Sequence, residues 1–181
     1  ICYSLKKEFN INNLCLAGGV ALNCVANGKI VDNKIFENVW VQPASSDAGG
    51  ALGAALGFWF QNLKQNRGYV KDDLMKNSYL GPEYSEDEIK NQLTDLGANF
   101  SILSQNEISE IVSDDLNKSL AVGWFNGKAE FGPRSLGSRS ILADPRAHNM
   151  QKILNLKIKF RESFRPFAPV VLEDKAKDWF E

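Results

Sequence analysis

The chain has 181 residues, 44% of them hydrophobic and 24% charged, with a formal net charge of -1. That composition fits a folded globular chain, and the near-neutral charge sets up no global field for nucleic acid or membrane. No apolar run reaches the roughly 18–20 residues of a bilayer span, and no basic-then-apolar leader is present.

Residues 14–17 (Leu-Cys-Leu-Ala) read as a short strand running into Gly18-Gly19, with a helix expected over 20–27. A glycine pair between strand and helix lets backbone amides approach a phosphate or nucleoside, and Asn23 lies one turn on. An ordinary tight turn explains the same pattern equally well. Val39-Trp40-Val41 reads as a second strand. Ser45-Ser46-Asp47 then precedes a helix to about residue 63. Asp47 there is either a helix cap or a metal ligand. Gly49, Gly53 and Gly57, four residues apart, predict a smooth face for close packing. Residues 1–65 thus show the strand–turn–helix alternation of an α/β sheet.

Residues 65–84 are polar, with Gly68, Gly81 and Pro82, and read as a linker. Ser85 and Glu88 form a capping-box pattern opening a helix to about 96, which Gly97 ends. A second amphipathic helix is expected over 106–118, with Ile108, Ile111, Val112 and Leu116 on one face. A strand at 120–125, an Asn126-Gly127 turn and a return at 128–131 predict a hairpin. A short helix over 148–156 should bury Met150, Ile153 and Leu154.

Charge is concentrated late in the chain. Residues 128–165 hold nine bases against three acids (Glu130, Asp144, Glu162). Arg134, Arg139, Arg146, Lys157, Lys159, Arg161 and Arg165 lie among Gly132-Pro133, Leu136-Gly137 and further turn residues. Guanidinium groups grip phosphate oxygens bidentately, and loops with constrained backbone hold such groups in place. A solvated charge run, a groove for single-stranded RNA and salt bridging to the acidic remainder compete with an anion site. Phe160, Phe164 and Phe167, placed near Pro166 and Pro169, read as core anchors. The lone His148 reads as a helix-start residue, and with one histidine no histidine-based metal site can be assembled. Cys2, Cys15 and Cys24 lack metal or redox spacing and read as core thiols in a reducing, cytoplasmic compartment.

Together, LAGGVALNCVANGKI, VWVQPASSDAGGALGAAL, YLGPEYSEDEI and the run from WFNGKAEFGPRSLGSRS to FAPVVLED resemble the O-carbamoyltransferases of the nodulation and antibiotic-tailoring type. The resemblance implies a carboxy-terminal fragment. Residues 1–65 would end an actin-like ATPase domain related to the tRNA threonylcarbamoyl transferases, 66–84 would link, and 85–181 would form a YrdC-like α/β domain cut short at its end. It also implies carbamoyl-adenylate formation from carbamoyl phosphate and ATP, then transfer to a hydroxyl of a small-molecule or saccharide acceptor. Mg2+ would accompany ATP, and Fe2+ or another divalent metal would serve the transfer. In that picture Arg134, Arg139, Lys159 and Arg161 are catalytic, while Arg146, Lys157 and Arg165 bind the phosphates. Gly18, Gly19 and Asn23 hold the nucleotide, and Asp47 is a metal ligand whose histidine partners lie upstream. A tRNA threonylcarbamoyl-type transferase, a non-catalytic nucleotide- or carbamoyl-phosphate-binding module and a plain interaction domain are the alternatives; neither membrane nor nucleic acid is expected as a partner.

Overall fold

The computed structural model describes residues 1–180. In chain order the elements are α1 (Cys2–Phe9), β1 (Asn13–Leu16), α2 (Cys24–Asp32), β2 (Asn38–Val41) and α3 (Asp47–Gly57). Then come α4 (Glu86–Asp95), α5 (Gln105–Asn117), β3 (Val122–Phe125), β4 (Arg139–Leu142), α6 (Met150–Ile153) and α7 (Ala176–Trp179). The architecture is mixed helix and strand. The chain divides into two compact units, each discontinuous in sequence: Ile1–Ile89 with Asn126–Arg139, and Lys90–Phe125 with the chain from Ser140 onward. That partition differs from a division at residues 66–84.

In the first unit, β1 and β2 pair in parallel, with Leu14 opposite Val39 and Leu16 opposite Val41. These residues share one partly buried face, while Cys15 and Trp40 share the exposed one. Parallel pairing places both strand carboxyl ends at the same edge. The loops that leave there, 17–23 and 42–46, are therefore neighbours. The ladder is prolonged by Gln42, whose N–H donates to the Leu16 carbonyl at 3.0 Å.

The expected helix over 20–27 is two pieces. A 3-10 turn covers Gly19–Leu22, and α2 starts afresh after Asn23. Asn23 is extended at φ -81°, and its side-chain oxygen accepts from the Ala26 N–H at 3.1 Å. An Asn in that conformation caps the following helix and cannot also continue the preceding one. Val20 is consequently 84% exposed. The core of this unit includes Ala21, Phe36 and Ala44.

The glycine face of α3 packs tightly at one position. A Cβ on Gly49 would overlap the Ala44 carbonyl oxygen, whereas Gly53 and Gly57 face open space. The helix runs on as a π-helical turn, Phe58–Asn62.

The polar stretch 65–84 is not a free linker. Gly81 N–H donates to the Ala129 carbonyl and Ala129 N–H to the Pro82 carbonyl, both at 2.9 Å. Phe131 N–H donates to Ser78 at 2.7 Å. This pairing replaces the expected hairpin. Gly127 turns the chain with φ +55°, but residues 128–131 do not return along β3, which pairs with β4 instead. An Asn-Gly turn specifies a reversal and not a partner; here Gly132 and Pro133 stop any return strand, and the 78–82 segment supplies the bonds.

In the second unit, α5 has a complete capping box, with Ser104 Oγ accepting from Glu107 N–H and Glu107 accepting from Ser104 N–H. Leading into the first unit's end, Ser85 and Glu88 make the same side-chain exchange at the start of α4. The expected 148–156 helix is α6 followed by a π-helical turn, Leu154–Ile158. Met150 and Leu154 are buried, as the periodicity predicts, but Ile153 is 38% exposed. Phe160 and Phe164 are largely exposed and are not core anchors. The cysteines are not core thiols either: Cys15 and Cys24 are exposed and Cys2 is half-buried. Short strands and a helix cap left these side chains on the outer faces. No helix among the described residues is long and apolar enough to cross a membrane.

Candidate functional site

Three loops meet in the first unit at the carboxyl edge of the parallel strands. The first, 17–23, contains Gly18 at φ +96°, a conformation that L side chains rarely adopt. The second, 42–46, runs past it; a Cβ on Gly19 would lie 3.8 Å from Ser46 Oγ. Asp47 follows, exposed in the first turn of α3. The third loop, 130–139, arrives from far along the sequence. Gly132, at φ +122°, rides so close to the second loop that a Cβ there would sit 3.2 Å from Ala44 Cα. Ligands of open α/β sheets bind at this edge, where loops leave the strand carboxyl ends.

Arg134 reaches this edge. Its Nη2 donates to the Leu22 carbonyl at 3.2 Å, across 112 residues of sequence. Among the described residues no carboxylate pairs with it. The guanidinium is exposed and lies beside the Gly18–Asn23 turn. The structure thus ties Arg134, through the Leu22 carbonyl, to the loop that carries Gly18, Gly19 and Asn23, and places Ser46, the residue before Asp47, next to Gly19. Of these, Asn23 has its side-chain oxygen engaged in capping α2.

Arg139 stands differently. Its Nη1 donates to the carbonyls of Asn126 and Ser138, each at 3.1 Å. Its Nη2 donates to those of Pro82 at 3.3 Å and Gly127 at 3.0 Å. A planar fork saturated by carbonyls fastens loops to one another.

Glu130 was not singled out by sequence reasoning, yet it organises the third loop. Its Oε1 accepts from the N–H groups of Leu136 at 2.7 Å, Ser138 at 2.8 Å and Arg139 at 3.3 Å. Partial burial by itself pushes its carboxyl up, but these backbone donors together with its own N–H outweigh burial and hold the pKa at about 2. Tyr79 adds a further tie, its hydroxyl donating to the Leu136 carbonyl at 2.7 Å. A carboxylate six to nine residues ahead of its amide partners carries no sequence signature, because the ring it closes depends on the loop's turns.

The remaining candidate bases lie in the second unit. Arg146 is clamped by Asp144, with Nε–Oδ1 at 2.9 Å and Nη2–Oδ2 at 2.7 Å, and also donates to Asn117 Oδ1 at 2.7 Å. Its side-chain hydrogen bond holds the Asp144 carboxyl below the ordinary range. Arg165 pairs with Glu162 at 2.8 Å. Arg161 donates through Nε to Asn155 Oδ1 at 2.6 Å and stacks 4.9 Å from the Phe167 ring centre. Asn155 is fully buried and also donates to the Ser163 and Arg165 carbonyls, so it shapes the 159–165 loop. Lys157 and Lys159 are exposed and have no carboxylate partner among the described residues.

Asp47 was weighed as a metal ligand. Among the described residues no three His, Cys, Asp or Glu side chains converge. Asp47 is one exposed carboxylate, and a divalent ion takes several ligands. His148 is exposed, near the start of α6.

Comparison with known proteins agrees with the order of these segments. Residues 2–56 match the carbamoyltransferase N-terminus family model, and residues 113–181 match the carbamoyltransferase C-terminus model. An uncharacterized protein of Synechocystis sp. is 51% identical over 98% of this chain and 29% of its own length. Nodulation protein NolO of Bradyrhizobium diazoefficiens is 40% identical over 97% of this chain and 32% of its own. An uncharacterized protein of Methanocaldococcus jannaschii is 35% identical, over 97% and 29% respectively. The chain therefore spans about a third of the length of these relatives. With both family regions present in sequence order, the chain belongs to the carbamoyltransferase family.

Proposed function

We propose that the protein is an ATP-dependent O-carbamoyltransferase, and that this chain supplies part of its nucleotide- and phosphate-binding surface. The observation that supports this reading is Arg134 beside the Gly18–Asn23 turn. A guanidinium with no carboxylate partner among the described residues, held beside the backbone of a strand-end loop, suits a phosphate, by bidentate hydrogen bonding and by charge.

In this reading carbamoyl phosphate loses phosphate to water and leaves carbamate. A carbamate oxygen then attacks the α-phosphorus of ATP, and the bond to the β-phosphate bridging oxygen breaks, releasing pyrophosphate. An acceptor hydroxyl next attacks the carbonyl carbon of the carbamoyl-adenylate, loses its proton and expels AMP. The first condensation brings two anions together, so fixed cations lower its barrier. Arg134, at the strand-end edge of the first unit, is placed for that work; Arg139, Arg146, Arg161 and Arg165 each hold contacts within their own unit. Mg2+ would enter with ATP. Residues 1–65 would close an actin-like domain and the later region would be YrdC-like. The acceptor would be a hydroxyl-bearing saccharide or small molecule, and the reaction cytoplasmic.

The test uses the intact protein with labelled ATP. Pyrophosphate release should rise when carbamoyl phosphate is added and should fall in Arg134→Ala. Release that ignores carbamoyl phosphate would overturn the reading.

A further inference from the structure

A carboxylate is an unexpected resident of an anion-binding loop. Glu130 lies four residues from Arg134 in sequence, and a free negative charge there would repel the phosphate that Arg134 attracts. The geometry removes that conflict. Glu130 Oε1 turns inward onto the N–H groups of Leu136, Ser138 and Arg139. Amide dipoles meet its charge there. The bonds join residue 130 to residues 136–139 and so close a ring whose apex carries Arg134. Gly132 at φ +122° and Gly137 at φ +106° make that ring tight but give it little stiffness of its own. On the far side, Arg139 fastens the ring's end to four carbonyls, and Tyr79 holds Leu136.

We propose that Glu130 is a positioning residue: by closing the 130–139 loop through backbone amides, it aims the Arg134 guanidinium at the Gly18–Asn23 turn, where Arg134 contacts a phosphate of the bound nucleotide. This rests on the ATP-dependent reading above. Glu130 touches neither ligand nor Arg134; it acts through the loop that carries Arg134. Without the carboxylate the three amides lose a charged acceptor, the loop samples other shapes, and Arg134 must be re-ordered each time nucleotide binds.

The experiment is calorimetric titration of Mg·ATP into the intact protein, for wild type, Arg134→Ala, Glu130→Gln and the Glu130→Gln/Arg134→Ala double variant. Arg134→Ala should weaken binding by about 10- to 100-fold, the loss of a charge-assisted bond. Glu130→Gln should weaken it by about tenfold, and the double variant should bind no more weakly than Arg134→Ala alone. That non-additivity separates positioning from general stabilisation, since independent effects multiply. Tyr79→Phe removes one hydroxyl and loosens the same loop more gently. It should give a smaller loss that also vanishes in the Arg134→Ala background, and it serves if Glu130→Gln folds poorly. Wild-type-like binding by both loop variants, or losses that multiply with Arg134→Ala, would overturn the positioning role alone. No ATP binding by wild type, or unchanged binding by Arg134→Ala, would overturn the functional reading and the positioning role with it.

Discussion

Replacing Glu130 by Gln should open the 130–139 loop in a pH-dependent way. The carboxyl sits at about 2 against an ordinary 4.5 because the amides of Leu136, Ser138 and Arg139, together with its own N–H, outweigh its partial burial. At roughly 1.4 kcal/mol per pH unit that gap is about 3 kcal/mol, and screening at a partly exposed site lowers it to about 2 kcal/mol. Because the folded-state pKa is depressed, the contribution is complete above pH 4.5 and is lost as pH falls through about 2. Hydrogen exchange of the amides at 136, 138 and 139 reads this directly, since they are the bonded groups. At pH 7 their protection should fall about 30-fold in Glu130→Gln. Between pH 4.5 and 2, after correction for intrinsic exchange, the wild-type advantage should shrink toward nothing. Equal protection at pH 7, or a wild-type advantage lost already near pH 4.5, would refute the assignment of the three amides as the cause.

Three further outcomes follow from the same contacts. Arg139→Lys should lower thermal stability, by about 1–2 kcal/mol, equally with and without ATP, because a lysine cannot serve four carbonyls from one plane; a loss confined to ATP binding would instead make Arg139 a ligand contact. Asn155→Ala should cost about 2–4 kcal/mol in urea unfolding of the second unit, since it strands the Ser163 and Arg165 carbonyls and the Arg161 Nε donor. Gly132→Ala should be destabilising by roughly 2 kcal/mol or more in thermal melting, because a Cβ meets Ala44 at 3.2 Å and φ is +122°.

Local elements were legible where local physics decides them. Short apolar runs ahead of turn residues located β1 and β2, a capping-box pattern located the start of α4, and one-sided apolar spacing located α5. The Gly18-Gly19 turn was readable because few residues other than glycine adopt its backbone. Illegible features depend on a distant partner. Nothing near Asn126-Gly127 says that β3 will take β4 and not residues 128–131. Nothing in 65–84 says that Ser78, Gly81 and Pro82 will bond to the 129–131 segment.

The arginines show the same division. Sequence supplies a cluster of bases set among glycines and prolines, and that cluster is chemically suited to anions wherever it folds. It also carries the family, because whole segments in order preserve the matches over residues 2–56 and 113–181. Tertiary structure alone decides which cations remain available. Arg139 is engaged by four carbonyls and Arg146 by Asp144 and Asn117, while Arg165 and Arg161 commit their Nε groups to Glu162 and Asn155. Arg134 is carried across 112 residues to the strand-end turn. A side chain's charge is fixed by its identity, but its partners are fixed by what the fold places within hydrogen-bond distance, roughly 3 Å, of its donors.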